Sequence, residues 1–544
     1  MPGIQNIPAR NLSQYGIVRD AGTYNLPLNA FTGGANVRFQ NGAVRDAPVW
    51  RLAAPIDPAD PAFAFGVRTQ SDFDEIFYTT KTGRIRRFLD RSDTDVTQTV
   101  WTEIVSDLPF TGTTLGGVVY INRETHVPQF RLPTGTKFAN LSNWDSTWRC
   151  KSLRAYKDFL IALNVTKNGV ANPFMVKWSN LTLAGQVPNS WDATVIANNV
   201  AGENVLTDAT APIIDGGPLR DNFLIYTGRE TFLMRYVQGQ FIFDFQKVSG
   251  NGGILNANCW AEVDGKHYVF GPDTIYVTDG TQQQSISNGL VNGEIYNTMN
   301  KNLSQRFFVA HNASLREVMF CFVSGNDVHF QDPTCCNRAA AFNYDNNTWT
   351  FYDLPNIAFI TNANLDSKRK WNDVDEPKTW DAVGGTWYDQ EHSTQAHLVG
   401  ISAAWSHQGT GLSLPTSRIM GFDYLDEGSL LYEPDAYSNA PAWIERQNID
   451  LDEQQYALNT QKMFHSIMPQ IDISRDVPFT IELGAGLFPT SRVYEAPRQF
   501  KPNTAYKIDS RAAGRYLNMR FRPSALTGFK FSGFDLTVRL VAKR

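Results

Sequence analysis

The sequence predicts an all-β protein, a β-propeller with an N-terminal extended arm and a C-terminal β-sandwich-like domain, on three observations. Helical periodicity is nearly absent, and apolar residues alternate at period two or form short aromatic and β-branched runs. Gly (40) and Pro (27) are spread along the whole length, which punctuates many short elements. Hairpins recur at very roughly the ~40–50-residue spacing of propeller blades. A chain of 544 residues exceeds one ordinary domain, and 42% hydrophobic with 12% aromatic residues supplies a core. Charged residues, at 19%, fall below the roughly 25% of a typical domain, so the bulk of the chain is expected to fold.

Residues 1–46 are Asn/Gly/Pro-rich and weakly periodic, which predicts an extended arm. Such a segment holds no core alone, so ordering it requires a partner surface. Residues 47–437 carry the blade signals. Phe223-Leu224-Ile225-Tyr226 and Thr231-Phe232-Leu233-Met234-Arg235-Tyr236 predict a hairpin turning at Gly228. His267-Tyr268-Val269-Phe270 and Thr274-Ile275-Tyr276-Val277 predict another across Gly271-Pro272-Asp273, and 317–322 with 339–344 a third. Similar pairs occur at 63–78 and at 154–163 with 173–178. The clearest unit is 343–350, where a strand ends in Tyr344, an Asx-rich turn follows, and Thr348-Trp349 opens the next strand. One short helix is expected after Asn292, with Glu294, Ile295 and Met299 suiting a capped turn. Residues 438–544 change texture to longer strands at 462–473, 479–483, 516–521 and 534–540, a separate sandwich-like unit.

Charge is segregated. Eleven basic residues fall between Arg498 and Arg544, opposed only by Asp509 and Asp535. The stretch from Asp366 to Glu453 is acidic, densest at Asp373-Val374-Asp375-Glu376 and Asp450-Leu451-Asp452-Glu453. Such asymmetry is either two solvated faces or two surfaces that meet between subunits. A net charge of −5 argues against a general nucleic-acid binder, whose affinity rests on Lys/Arg neutralising phosphates.

No catalytic motif emerges: there is no P-loop, GxGxxG, GxSxG or HExxH pattern, and no catalytic, cofactor-binding or metal-binding residue is assigned. Ser249-Gly250-Asn251-Gly252-Gly253 lacks the Lys and following helix of a phosphate cradle, so a plain turn is expected. His392 and His397, five apart, fall on opposite faces of a strand and cannot jointly ligate a metal. Asp90, Asp93 and Asp95 resemble half a calcium loop without its glycine and closing Glu. Propeller glycosidases place two carboxylates across a pocket, but no pair is singled out here. Trp144, Trp148, Trp349, Trp371, Trp380 and Trp387 could stack on sugars, although burial between blades explains them more simply. Five cysteines without a CxxC pair are expected to be buried free thiols. The N-terminus lacks the basic and apolar regions of a secretory leader, and runs such as 117–121 fall short of the roughly 18 residues that span a bilayer, so no membrane insertion is expected.

Several segments, in order, resemble the nozzle or tail-hub proteins of short-tailed bacteriophages (podoviruses). These are Asn36-Val37-Arg38-Phe39-Gln40-Asn41-Gly42 after Leu28-Asn29-Ala30-Phe31; Lys177-Trp178-Ser179-Asn180 with Trp191-Asp192, Ala201-Gly202 and Ile214-Asp215-Gly216-Gly217-Pro218-Leu219; Gly252-Gly253-Ile254 with 269–280; Asn343-Tyr344-Asp345 with Thr348-Trp349; and 515–521 with 529–536. The acidic 366–391 stretch has no counterpart in that pattern. The resemblance implies an enzymatically inert virion protein, assembled in the host cytoplasm, with no cofactor. Its implied partners are five further copies in a homohexameric ring, the portal-adaptor (head-to-tail connector) protein, tail fibres or spikes, and double-stranded DNA passing through the lumen during genome ejection. A receptor-binding or saccharide-degrading tail propeller is the alternative. Within the ring, the arm and the basic C-terminal unit are expected to meet the adaptor while the propeller projects outward. Phe529, Phe531 and Phe534 would strengthen that contact unless the unit's own core uses them.

Overall fold

The computed structural model describes residues 4–48, 50–56, 60–68, 74–89, 92–195, 197–237, 241–325, 334–365, 397–406, 413–414, 416–422, 442–452, 459–473, 477–523 and 528–543. The chain is all-β: among the described residues, strands alternate with turns throughout, and the one α-helix is Asn292–Thr298. No described helix is long and apolar enough to cross a membrane. Two compact units form, the first from residues 1–50, 259–355 and 433–544, the second from 51–258 and 356–432.

The second unit is built of propeller blades. Four antiparallel four-stranded meanders follow one another at 61–95, 111–140, 149–205 and 213–249. The far half of Thr348–Ala363 pairs with His397–Ser402, which is followed in the same seven-stranded sheet by Arg418–Phe422 and the early strand Trp50–Pro55. A strand from the start of the unit thus joins strands from its end, and Ala363, Val399, Ile401 and Ile419 share a core with Ala54, Ala64, Ile76 and Tyr78.

Stacked blades bury both faces of a strand, and the sequence shows how. In Phe159–Lys167, Phe159, Ile161 and Leu163 enter the core shared with the following blade, while Leu160 and Ala162 enter the core shared with the preceding one. Asn164, at φ 55°, then makes a bulge that skips one register position, so Val165 joins the Leu160 side. The same split puts Phe63 and Phe77 on one side and Ala64, Ile76 and Tyr78 on the other. Burial of each large apolar side chain contributes about 1.5–3 kcal/mol, and these strands read as continuous apolar runs because neither face meets water.

The first unit holds one further four-stranded sheet, a second ladder of strands and a sandwich. The sheet spans 260–285; the ladder joins Phe308–Asn312, Glu317–Phe322, Cys336–Asn343 and the near half of Thr348–Ala363. In the 343–350 turn Asn343 accepts the backbone N–H groups of Asp345 and Asn346, Asn347 takes φ 57°, and the Trp349 indole donates to Ile286 O at 3.0 Å. The sandwich pairs a seven-stranded sheet centred on Thr460–Ile473 and Phe529–Lys543 with a six-stranded sheet centred on Tyr516–Pro523 and Phe479–Gly486. Phe521 packs on Phe531 and Phe534 with centroids 4.9 and 6.1 Å apart, and Phe479 packs on Phe529 at 5.4 Å. The three phenylalanines expected to bind a partner are therefore used by the sandwich core, where each is buried.

The expected arm is woven into that sandwich. Ile4–Arg10 runs antiparallel to the last strand, from Ile4 opposite Arg539 to Arg10 opposite Gly533. Gly33–Ala35 pairs with Trp443–Ile449, and Ala43–Asp46 pairs with the start of Phe529–Lys543. The partner surface the segment needs is the chain's own C-terminal region. Unit boundaries accordingly fall elsewhere than at 46/47 and 437/438, since residues 1–50 and 259–355 cluster with the C-terminal strands.

The short helix is capped from afar. Asp20 accepts the backbone N–H of Gly293 at 2.6 Å and of Glu294 at 3.3 Å, the role usually filled by the residue preceding the helix. Asp20→Ala is expected to cost about 1 kcal/mol in denaturant unfolding, typical of a lost N-cap. An unchanged midpoint would contradict this role.

Candidate functional site

The most concentrated polar chemistry of the second unit lies where its inner strands converge. Ser152 and Arg154 stand on Arg149–Tyr156 and Asp215 on Ile213–Leu219, the opening strands of consecutive meanders. Asp215 is fully buried. It accepts from Ser152 Oγ (2.5 Å), Arg154 Nε (3.0 Å) and Nη2 (2.6 Å), and the Asn258 N–H (3.0 Å). Arg154 also donates to Gly112 O at 3.2 Å and Asn258 Oδ1 at 2.8 Å, and the Asn258 amide donates to Phe110 O at 2.8 Å. Three meanders and the segment after the fourth thus meet at one ion pair. Thr111 and Thr113 hydroxyls accept from the N–H groups of Leu153 and Ala155, bridging inner strands that share no backbone ladder. Burial alone would raise the Asp215 pKa, but the Arg154 charge and the converging donors hold it below the ordinary carboxylate value. A carboxylate so saturated has no free lone pair for base or nucleophile chemistry, and the cluster works as a lock on the blade array.

Other buried carboxylates sit in comparable pairs. Glu75 accepts from Arg131 (2.8 Å) and Arg87 (3.4 Å), and Glu230 from Lys247 (2.5 Å) and Thr210. On the surface, the exposed Glu203 bridges Lys167 and Lys177, whose ammonium groups both lie 5.0 Å from the Trp148 ring. In the first unit Glu317 accepts from Tyr352 (2.8 Å) and Arg38 (3.4 Å); burial raises its pKa and the two donors offset this only partly.

The motifs weighed in the sequence take structural positions. Asp93 bonds Arg86 and the Tyr78 hydroxyl (2.6 Å), and Asp95 pairs with Arg84 at 2.9 Å, so both brace a strand edge; Asp90 lies outside the described residues. His397 opens a strand opposite Ala363, and His392 lies outside the described residues. Gly253 lies against Gly228, where a Cβ would come within 2.4 Å of the Gly228 carbonyl oxygen, so the glycine-rich loop seats on a neighbouring turn. Trp144 stacks edge-on against Trp148 and Trp191 at 5.7 and 4.7 Å inside the core, and Trp349 is buried. Trp371, Trp380 and Trp387, with the acidic 366–391 stretch, lie outside the described residues. All five cysteines are buried as thiols, and burial pushes the Cys150, Cys321 and Cys336 thiols up. A thiol reagent is therefore expected to label none of the five in native protein and all of them in denaturant; rapid native labelling would contradict the burial.

The sandwich of the first unit presents a different surface. One margin of each sheet is supplied by the N-terminal segment, as Gly33–Ala35 and Val37–Gln40. The opposite margins end in the two- and three-residue strands Val493–Tyr494, Arg498–Phe500, Ile508–Asp509 and Ala513–Gly514. Glu495 ties them together, accepting from Arg498, the Ser510 hydroxyl and the Arg511 N–H. Along this margin Leu487, Phe488, Val493 and Tyr506 are 44%, 61%, 68% and 72% exposed, interspersed with exposed Arg492, Arg498, Lys501, Lys507 and Arg511. The excess of basic residues was legible in the sequence; its placement on one margin beside exposed apolar side chains was not.

No family model and no curated protein matches the sequence. Similar solved structures include U3-55K, at 10% identity over 69% of this chain and 98% of that one, with a TM-score of 0.37. The propeller domain of Myceliophteria thermophila Cps50 (Swd1) is similar at 9% identity over 68% and 99% of the two chains, TM-score 0.37. PorZ, a surface component of the type-IX secretion system of Porphyromonas gingivalis, is similar at 8% identity over 77% of this chain and 44% of that one, TM-score 0.36. The fold assignment rests on the strand pairing described above.

Proposed function

We propose that this chain is a structural subunit of a short-tailed phage tail, a nozzle protein that assembles as a sixfold ring extending the DNA-ejection channel and bearing fibres. One observation carries the reading: a sandwich woven from both ends of the chain leaves one margin of short strands, exposed apolar side chains and cations open for assembly. The ordered motif resemblance supplies the class of assembly. Saturated buried ion pairs at the blade hub suit a part that must bear load, because each member holds several strands at once. An overall charge of −5 suits a lumen along which DNA slides, since dense Lys/Arg would hold phosphate. The N-terminal segment, being part of the sandwich, enters the ring with it. Particle-averaged images of the purified protein test the reading: six copies around a hole are expected. A monomer that degrades host surface polysaccharide, with turnover abolished by changing one Asp or Glu, would replace it with the saccharide-degrading reading.

A further inference from the structure

We infer that the open sandwich margin docks on the acidic turn face of a second copy of this chain, a head-to-tail contact between unlike surfaces. Both surfaces lie within the first unit. Its terminal parts, 1–50 and 433–544, hold nineteen basic and fourteen acidic residues, whereas 259–355 hold five basic and ten acidic. The excesses are equal and opposite, and both have exposed representatives. On the acidic side, Glu262 is exposed within Trp260–Val263 and Asp264 on the turn that follows, while Asp345, paired with Arg316, is exposed on the turn after Cys336–Asn343. Tyr268 and Tyr344 lie 6.3 Å apart and bring these two turns side by side.

Short strands and cations alone are also how a sheet margin is kept from pairing indiscriminately. That explanation covers Arg498 and Lys507, each already paired with an acid on its own margin. It does not cover Leu487, Phe488, Val493 and Tyr506, which gain nothing from water and mark a surface meant to be covered. Charge would set the register, and the apolar side chains the strength, of the contact. Because the margin and the acidic face are different surfaces, repetition of the contact closes a ring or grows a filament, whereas a twofold dimer would need one patch to meet itself. The inference rests on the proposed function only for the number of copies.

Charge exchange tests it. The margin variant carries Arg492→Glu, Lys501→Glu and Arg511→Glu; the face variant carries Asp264→Lys and Asp345→Lys. Wild-type protein is expected to assemble in sedimentation velocity, and assembly should weaken with added salt. Each variant alone should need at least tenfold more protein to assemble, while an equimolar mixture should regain assembly, because the reversed margin of one now fits the reversed face of the other. Circular dichroism controls for folding, and Phe488→Ser provides an uncharged second variant expected to weaken assembly alone. A wild-type monomer, variants that assemble like wild type, or a mixture that fails to recover would each overturn the contact. So would loss of binding to anionic phosphatidylglycerol vesicles by the margin variant with assembly intact, which would give the margin to a lipid surface. Sixfold wild-type rings indifferent to both variants would leave the nozzle reading standing and remove this contact. Filaments that obey the exchange would do the reverse.

Discussion

Removing residues 1–46 is expected to abolish cooperative folding of the first unit rather than merely to weaken assembly. The segment contributes Ile7, Leu12, Ile17, Val18, Phe31, Val37, Phe39 and Val44, all at most 5% exposed. At about 1.5–3 kcal/mol for each buried side chain, their loss of about 12–24 kcal/mol matches or exceeds the 5–15 kcal/mol by which a typical domain is stable. Deletion also strips one full side of Phe529–Lys543, leaving its N–H and C=O groups unpaired above Phe531, Phe534, Leu536 and Val538. Near-UV circular dichroism and denaturant unfolding of the truncated chain should show loss of the transition assigned to this unit. A truncated protein with an undiminished transition would mean that the woven strands contribute little.

Asp215→Ala carries the second-largest expected effect. It strands the Arg154 guanidinium, 11% exposed at the side chain, beside donors from Ser152 and Asn258 that lose their acceptor. Breaking a buried pair on one side costs about 3–5 kcal/mol. Arg154→Ala should cost as much, and the double variant Arg154→Met with Asp215→Leu should cost clearly less than the two single losses together, since no charge is left unpaired. The pH dependence follows from the depressed pKa of the folded state. Asp215 contributes its stability above the unfolded carboxylate pKa of about 3.9, and that stability is lost as pH falls through the lower folded value. Wild type should therefore lose stability below about pH 4 more steeply than Asp215→Asn, compared by thermal unfolding at pH 7 and pH 3. Equal slopes would show that Asp215 is not held ionised by its neighbours.

Local pattern and turn chemistry made most of the blades legible. The hairpins at 223–236 and 267–277 and the 343–350 turn occur where alternation and Asx residues put them, because each depends on neighbours in sequence. The strands of 1–46 were not legible as strands. Ile4–Arg10 and Gly33–Ala35 pair with strands more than 400 residues away and carry little periodicity of their own, whereas Val37–Gln40 and Ala43–Asp46 form a local hairpin across Asn41-Gly42, a turn signal present in the sequence. The hub illustrates the same limit. Asp215 figured in the sequence only within Ile214-Asp215-Gly216-Gly217-Pro218-Leu219, and nothing local indicated that Arg154, 61 residues earlier, would neutralise it. Phe529, Phe531 and Phe534 looked available for a partner because strand alternation shows which residues share a face but not what covers that face.

A reconstruction of the phage tail at a resolution that separates strands tests the central claim most directly. The account predicts six copies of this chain around the DNA channel, with the sandwich formed by residues 4–46 and 442–543 in the ring. A tail in which this chain is absent, or in which its blades hang as separate receptor-binding appendages with no ring of sandwiches around DNA, would contradict it.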